Sequence, residues 1–532
     1  MPATTASLER LIADLSDPAA YPHPAESIQV VHTHISCVFL TGDYAYKIKK
    51  PVDFGFLDYR ILSRRRVFCE QDLILNRRLC PDLYLNVVPV TLQDGRLAVG
   101  GRGAVVEWAV QMRQLRLEEM LSERLAAQTA CAIEIQRIAD VLAGFHARAA
   151  SRPDIRSWGA VGVVAHTVFS CLATMETLSA SPGSIHASTA IQQYLASFLT
   201  TDPALFSRRA DEGCVRDCHG DLRTQNICLD PRFDSGVQVF DCIEFNQEFR
   251  YIDVAADLGY LAMDLDLAGR PDLRKALIDA YLGARPDSSL WRILPFYMTY
   301  RACVRGNIAL LAAAEPEIPE DQRQAHHAVA AAAYDLARCY ACRRGRPALM
   351  ITTGLSGSGK SSLARELSRR LPAIVLSSDQ VRKERAGVAR TDRLDDSRYT
   401  PAERAETYAE LNRRAEAWLS QGEHVILDAT FLSAGERGAA RQLAAACGAE
   451  FWTLDLRCPD AVIRRRLALR RASQADASDA GLAVYERQLR SYAPIEPSRS
   501  DAASLGHHLV IETDRPAPEA AAEAVGRFAS PQ

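Results

Sequence analysis

No window of about 18 residues is uninterruptedly apolar, so the sequence predicts no membrane-spanning helix. The opening stretch, MPATTASLERLIADLSDP, lacks the basic-then-apolar order of a secretory signal. Strong charge of one sign is also missing. The formal net charge is −3, which excludes a global field for coating nucleic acid and leaves room only for a local basic groove. Paired cysteine motifs are scarce. The 14 cysteines are scattered singly, as expected for reduced thiols in the cytosol. The one CxxC, Cys339 to Cys342, has no second CxxC or His pair with which to build a four-ligand zinc site. There is no internal repeat.

What is present is an ordinary globular composition, 48% hydrophobic and 24% charged over 532 residues. At roughly 100–200 residues per domain this length predicts about three structural units. Residues 27–50 alternate as short strands with a turn at Thr41-Gly42-Asp43. Residues 58–79 read as helix. Residues 83–115 return to strand with a turn at Asp94-Gly95, and 116–213 and 252–340 are mostly helical around short strands near 226–241. Arg and Gly punctuate a junction at Cys342–Pro347. After it, ALMITTG and apolar runs at 373–377, 424–428 and 450–456 alternate with helical stretches, the pattern of a parallel sheet with crossover helices. The expected fold is an α+β bilobal N-terminal region followed by an α/β domain with a parallel sheet. The expected boundaries are 1–115 for a small sheet-rich lobe, 116–343 for a helical lobe, and 347–532 for the parallel-sheet domain.

Gly354-Leu355-Ser356-Gly357-Ser358-Gly359-Lys360-Ser361 fits GxxxxGK[ST], with a strand before it and a helix after it. Glycines let backbone N–H groups turn toward phosphate oxygens, and the helix N-terminus adds partial positive charge. Lys360 reaches the β/γ-phosphates and the Ser361 hydroxyl binds Mg²⁺. The expected ATP contacts are Gly354, Gly357, Gly359, Lys360, Ser361 and Ser362. Asp379 follows the next strand, where a carboxylate can take a proton from an attacking hydroxyl, and Arg382 lies three residues on. The alternative is a helix cap with a surface arginine. Asp428 ends the HVILD strand, where a carboxylate holds the Mg²⁺ shell. Ser433 and Glu436 form a capping box with Arg437 just inside the helix. Arg464, Arg465, Arg466, Arg470 and Arg471 make a basic segment suited to a lid, or to a solvated helix.

Residues 347–500 resemble the small P-loop kinases of the gluconate-kinase, polynucleotide-kinase and zeta-toxin-like groups. Asp379 and Arg382 match their DxxR acceptor motif. The resemblance implies that Asp379 is the base and that Arg466 or Arg470 supplies lid contacts.

A second constellation lies upstream. His219-Gly220-Asp221-Leu222-Arg223-Thr224-Gln225-Asn226 fits HxDxxxxN, and Asp241 follows an apolar strand 15 residues after Asn226. In kinase-like folds such an Asp positions the hydroxyl and takes its proton, while the Asn and the second Asp bind the metals. Lys47 ends an alternating strand, with Lys49 on the same face by period two. Glu70 in the next helix is the expected partner of Lys47. Residues 107–112, EWAVQM, read as a hinge that meets adenine.

Together residues 27–300 resemble the aminoglycoside phosphotransferase branch of the protein-kinase-like superfamily, within the group in which that module is fused to a P-loop kinase. The segment DVAADLGYLAMDL, with Asp253 and Asp257, matches this group. Two departures stand out: THISCVFLTG replaces a GxGxxG loop, and Cys242-Ile243-Glu244 follows Asp241 where FG is usual. A polycationic sugar acceptor would need acidic walls, for which Glu244, Glu248, Asp253 and Asp257 are candidates. Asp253 and Asp257 otherwise read as structural supports of the catalytic loop.

The sequence thus predicts two modules using ATP and Mg²⁺, transferring phosphate to a hydroxyl of a small molecule or of a nucleic-acid end. Two alternatives stand beside it. The first module is a silent regulator of the second, or the second is a nucleic-acid 5′-end kinase. Nucleic acid is the less favoured partner, no membrane contact is expected, and the expected location is the cytoplasm.

Overall fold

In the computed structural model, the alternating runs near the N-terminus become an antiparallel sheet because every second side chain finds a core. The structure describes residues 7–532 except 34, 54, 56, 179–181, 316–317, 343–345, 389–393, 395–399, 474–481, 492–494, 496–505 and 529–532. Contacts divide the chain into two compact units. The first is Met1–Ser170, Ala196–Asp264 and Leu273–Arg301; the second is Cys171–Leu195, Leu265–Asp272 and Ala302–Gln532.

In the first unit, β1 (Gln29–His32), β2 (Ser36–Leu40), β3 (Tyr44–Lys49), β4 (Tyr84–Gln93), β5 (Arg96–Val99) and β6 (Ala104–Arg113) form a sheet of order β1-β2-β3-β6-β4-β5. Every neighbouring pair is antiparallel. Gly42, at φ +101°, supplies the left-handed turn between β2 and β3. Tyr46 and Ile48 pack with Leu11, Leu15 and Tyr21 on one face, while Ala45 packs with Cys69 of the Leu62–Asn76 helix on the other. Burying each large apolar side chain contributes roughly 1.5–3 kcal/mol. Lys47 and Lys49 share the parity of Ala45, so the same alternation aims both at that helix.

Most of the rest of this unit is helical. Two short antiparallel ladders interrupt it: β7 (Val215–Asp217) pairs with β10 (Tyr251–Asp253), and β8 (Ile227–Cys228) pairs with β9 (Gln238–Val239). They clamp the loops at 218–226 and 240–250, which carry the polar site.

One described helix, Val161–Leu178, is long and apolar enough by length and composition to cross a membrane. The expectation from unbroken apolar runs missed it because small polar residues such as Thr167 and Ser170 break the run while lowering the mean hydropathy little.

The second unit is built on five strands: β11 (Ala348–Thr353), β12 (Ala373–Ser377), β13 (His424–Asp428), β14 (Glu450–Arg457) and β15 (His507–Glu512). Their order is β12-β13-β11-β14-β15 and all pairs are parallel. Leu349 and Ile351 face one helical layer and Met350 the other, so β11 is buried on both sides. The Glu320–Cys342 helix belongs to this unit. Its Cys339 sits in the core with Leu363 and Leu367, and its Asp335 accepts from Arg370 at 2.6 Å. None of the 14 cysteines forms a disulfide.

Candidate active sites

In the first unit, β3 delivers two buried lysines to one carboxylate. Lys47 Nζ lies 2.5 Å from Asp241 and 3.1 Å from Asp72, and Lys49 Nζ lies 2.7 Å from Asp72. Lys49 also bonds Glu244, which accepts from the Tyr59 hydroxyl at 2.6 Å. The helical carboxylate is therefore Asp72. Glu70, expected there, is half-buried and pairs with Arg66 one turn away at 2.9 Å. The physical reason is helical period. Arg65, Cys69, Asp72 and Asn76 form the buried stripe, and Glu70 falls off it.

The other half of the site comes from the clamped loops. Asp221 receives a bidentate contact from Arg223, at 2.9 and 2.8 Å, and a bond from Asn226 Nδ2 at 2.9 Å. Phe240 N donates to Asn226 O at 3.0 Å, which sets Asp241 beside Asn226. Asp241 has φ +63°, a left-handed conformation costing an Asp on the order of 1 kcal/mol. Its N–H donates to the Tyr84 hydroxyl at 3.3 Å. Burial alone would raise the Asp241 carboxyl, but the Lys47 ammonium outweighs it and holds the group below its ordinary value. Burial likewise opposes, and Arg223 reverses, the shift of Asp221 to below the ordinary value. Burial would lower Lys47, but Asp241 and Asp72 push it well above the usual lysine value, so it stays charged.

His219 is a structural residue. It is fully buried and its Nε2 lies 2.9 Å from Phe240 O. Beneath it, Asp257 accepts from the backbone amides of His219 and Gly220, both at 2.9 Å, and contacts His146 at 3.3 Å.

The four acidic candidates for a cationic pocket separate accordingly. Glu244 is held by Lys49, Asp257 by the loop, and Asp253 by Arg209 at 2.7 and 2.8 Å, while Glu248 receives only Thr167 at 3.0 Å and pairs with no described cation. Asp253 also ends β10 ahead of its helix and caps it through Ala255 N, so it does not share the helix of Asp257. Residues 107–112 lie wholly within β6, and Glu107 is locked to Arg65. The strand ends at Arg113, and residues 114–116 lead from it into the short Leu117–Glu119 turn of helix.

In the second unit, β11 runs into the glycine loop at the point where neighbours β13 and β14 lie on its two sides, the place where ligands bind open α/β sheets. Gly354, at φ +140°, has no room for a side chain: a Cβ would lie 2.9 Å from Leu456 O. Gly359, at φ +94°, starts the Lys360–Arg370 helix. Gly357 lies against Ile463 and Leu467, so a Cβ there would press on the helix that carries Arg466. These bare positions form a backbone cradle fit for phosphate. Lys360 Nζ folds over the loop to Leu355 O at 2.7 Å. Ser361 and Ser362 are exposed at the helix start. Ser356 N donates to Gln488 Oε1 at 2.8 Å. Arg466 donates to Thr513 O at 2.6 Å, and Thr513 in turn bonds Ser358 O at 2.7 Å. Arg466 thus stands at the loop. The side chains of Arg470 and Arg471 lie outside the described residues.

Asp428 ends β13 directly opposite Ser377 of β12. Asp379 follows Ser377 by two residues and pairs with Arg382 at 2.8 Å. The residue capping that helix is Ser377, so Asp379 is not the cap. At the same sheet edge Arg404 clamps Glu436 and reaches Thr430, and Arg437 donates to Phe431 O and Leu432 O.

These two sites agree with the comparisons. A model of the phosphotransferase enzyme family matches residues 176–294, and a model of the AAA domain matches residues 349–495. The Mycobacterium tuberculosis (strain ATCC 25618 / H37Rv) protein "Uncharacterized protein Rv2004c" is 32% identical over 424 residues, covering 79% of this chain and 81% of that protein. The Mycobacterium bovis protein "Uncharacterized protein Mb2027c" matches to the same extent. The chain belongs to their family. In this family member a phosphotransferase domain and an AAA-type P-loop domain share one polypeptide, a kinase-like architecture. Among solved structures, the Mycobacterium tuberculosis APS kinase CysC in complex with AMPPNP and APS is 25% identical. It covers 35% of this chain and 100% of that one, at TM-score 0.27. A choline/ethanolamine kinase family protein from Mesorhizobium loti is 14% identical, covering 61% of this chain and 93% of that one, at TM-score 0.35.

Sequence reasoning missed Asp72, Asn76, Tyr59 and Arg223. The helical stripe was the signal for Asp72 and Asn76. Arg223 was visible inside HxDxxxxN but had no spacing rule to mark it.

Proposed function

We propose that the chain is an ATP- and Mg²⁺-dependent phosphotransferase with two nucleotide-binding modules, each transferring phosphate to an acceptor hydroxyl. By motif the kinase-like module spans a small lobe, 1–115, and a helical lobe, 116–343, and the P-loop kinase module spans 347–532, although the Glu320–Cys342 helix packs in the core of the latter. The observation that carries this reading is the convergence of Lys47, Asp221, Asn226 and Asp241 from distant parts of the chain onto one site. Intact chemistry of that kind also speaks against a silent regulatory module.

Mg²⁺-ATP brings the transferable γ-phosphoryl and the metal charge that offsets its oxygens. With Mg²⁺-ATP bound, Lys47 would hold phosphate oxygens, and Asp241 with Asn226 would hold the metal. Asp221 orients the acceptor hydroxyl and takes its proton. For that, Arg223 must release the carboxylate, and its guanidinium is placed to neutralise charge on the phosphoryl group. In the P-loop module Lys360, Ser361 and Asp428 would hold the nucleotide and metal, Arg466 would supply positive charge to the phosphates, and Asp379 would serve as base with Arg382. The acceptors are small molecules. A nucleic-acid end is less well supported, because Arg382 and Arg404 are already paired with carboxylates. The cysteines, none of them in a disulfide, fit a cytoplasmic location.

The test is a thermal-shift titration of the full chain carrying Lys360→Ala, with ATP in the presence and absence of Mg²⁺. Asp241→Ala should abolish the Mg²⁺-dependent shift, and Asp221→Asn should keep it. No Mg²⁺-ATP-dependent shift in the Lys360→Ala chain would favour the silent-module reading.

A further inference from the structure

A cavity in the first unit lies beside the catalytic loop and is lined by Trp158, Phe249, Tyr251, Tyr297, Tyr300 and Arg301, with Thr167 and Glu248 also on its wall. It adjoins the loop directly: Phe249 O lies 2.6 Å from where a Cβ on Gly220 would stand, next to Asp221. Tyr251 is also paired with Asp217 in the ladder that leads into the loop.

Arg301 is the unusual member of this wall. It is only 5% exposed, yet no described carboxylate lies within ion-pair distance. Its Nε donates to Ala256 O at 3.2 Å, and its guanidinium lies over the rings of Tyr260, at 4.9 Å, and Tyr300, at 5.5 Å. The two Nη groups have no hydrogen-bond acceptor among the described residues. A buried cation without a counter-charge is costly, and aromatic faces offset only part of that cost. Every other buried arginine near the loops has a carboxylate: Arg65 has Glu107, Arg209 has Asp253, and Arg250 has Asp217. The carboxylates that would line a pocket for a polycation are meanwhile engaged elsewhere, apart from Glu248.

We propose that this cavity takes the acceptor of the kinase-like module, and that the acceptor carries an anionic group, a carboxylate or a phosphate, held by Arg301. The proposal rests on the phosphotransferase reading of this unit for the word acceptor; the binding itself does not. The guanidinium fork matches the two oxygens of either anion. The cavity encloses about 50 Å³, room for the anionic group alone, so the acceptor's ring lies at its edge beside the aromatic wall. Glu248, with Thr167, stands on the wall as a hydrogen-bond acceptor and repels a second negative group. A polycationic aminoglycoside would meet the opposite charge pattern.

The experiment uses the full chain and probe sets that share a ring and carry an anionic, neutral or cationic group. Glucuronate, glucose and glucosamine form one set; phenylacetate, benzyl alcohol and benzylamine form the other. Phenyl phosphate separates phosphate from carboxylate recognition. Binding is read by calorimetry and by tryptophan fluorescence, with Trp158→Phe assigning the signal to the cavity. Within at least one set the anion should bind about tenfold tighter than the neutral and cationic members, and Arg301→Gln should remove that preference. Glu248→Gln should tighten anion binding about two- to threefold by removing a like charge. Retained Mg²⁺-ATP stabilisation in the Arg301 variant shows that it is folded. If that variant does not fold, Glu248→Gln decides: unchanged or weakened anion binding overturns the proposal. It is also overturned if a cationic probe binds as tightly as its anion, if no anion binds at about 10 mM, or if Arg301→Gln binds like the unsubstituted chain. Anion binding in a chain that shows no Mg²⁺-ATP shift would instead retire the kinase reading and leave a ligand pocket.

Discussion

Replacing Asp257 by Asn removes one charge and one acceptor from beneath the catalytic loop. The carboxylate is fully buried and takes the amides of His219 and Gly220, one on each oxygen, with His146 alongside. Burial would raise its pKa, yet His146 and these loop contacts outweigh burial and hold it at about 2, against an ordinary 3.8. That depression corresponds to roughly 2 kcal/mol of preference for the charged form in the fold. An Asn side chain must also turn its NH₂ toward one of the two amides, leaving a buried N–H without an acceptor at about 1–3 kcal/mol. The sum, about 3–5 kcal/mol, is a large share of a typical domain stability. Loss should be local first, with the 218–226 segment exchanging amide hydrogens faster than in the unsubstituted chain. The pH dependence has a definite sign. Because the folded value lies below the unfolded one, the carboxylate's stabilisation is complete above about pH 4 and fades as pH falls toward 2. Thermal melts of both chains should therefore converge on acidification. Equal melting at neutral pH, or a gap that stays constant between about pH 6 and pH 3, refutes the reasoning.

Three further outcomes follow from the two sites. Asp72→Ala should destabilise the chain by about 3–5 kcal/mol, since it strands two buried lysines, whereas Glu70→Ala should change stability by less than about 0.5 kcal/mol; chemical denaturation measures both. In the P-loop module, calorimetry on the full chain should show Lys360→Ala losing most of the nucleotide affinity of that site. There Asp379→Asn should keep ATP binding and lose transfer to a verified acceptor; transfer at the unsubstituted rate would make Asp379 structural. A fragment comprising residues 319–532 should melt several degrees above one comprising 347–532, because the shorter piece loses Cys339 from its core and Asp335 from Arg370; equal melting temperatures would mean that the Glu320–Cys342 helix contributes nothing.

Much of this architecture was legible because its signals are local. Alternation over 27–50 sets β1 to β3, and the GxxxxGK[ST] run between a strand and a helix sets the P-loop, each within a few residues. The polar site was legible only in part. Period two puts Lys47 and Lys49 on one face, and nothing local says that the first reaches Asp241 while the second is fixed by Glu244. Glu70 looked like the lysine's partner by residue type, but the shorter Asp72 occupies the buried stripe. β15 was missed because its first two residues are histidines and its second-face residue Val510 stays open to solvent, so no clear alternation marks it. The pairing of Arg301 with aromatic rings alone depends on the meeting of two helices far apart in sequence.

The interleaved segments of the two units bear on how the chain is made. Residues 171–195 and 265–272 belong to a unit whose remaining residues begin only at Ala302. At about 5–20 residues per second, roughly 5–20 s separate synthesis of Leu195 from synthesis of Ala302. During that interval Ile191 and Leu195, fully buried in the finished protein, have no completed core to enter. Neither unit can mature on the ribosome as an independent bead, and the nascent chain carries exposed apolar helix until the C-terminal half emerges. Slowing translation between these points, or placing a stop before Ala302, therefore exposes the chain to chaperone capture or aggregation far more than a break between two contiguous domains would.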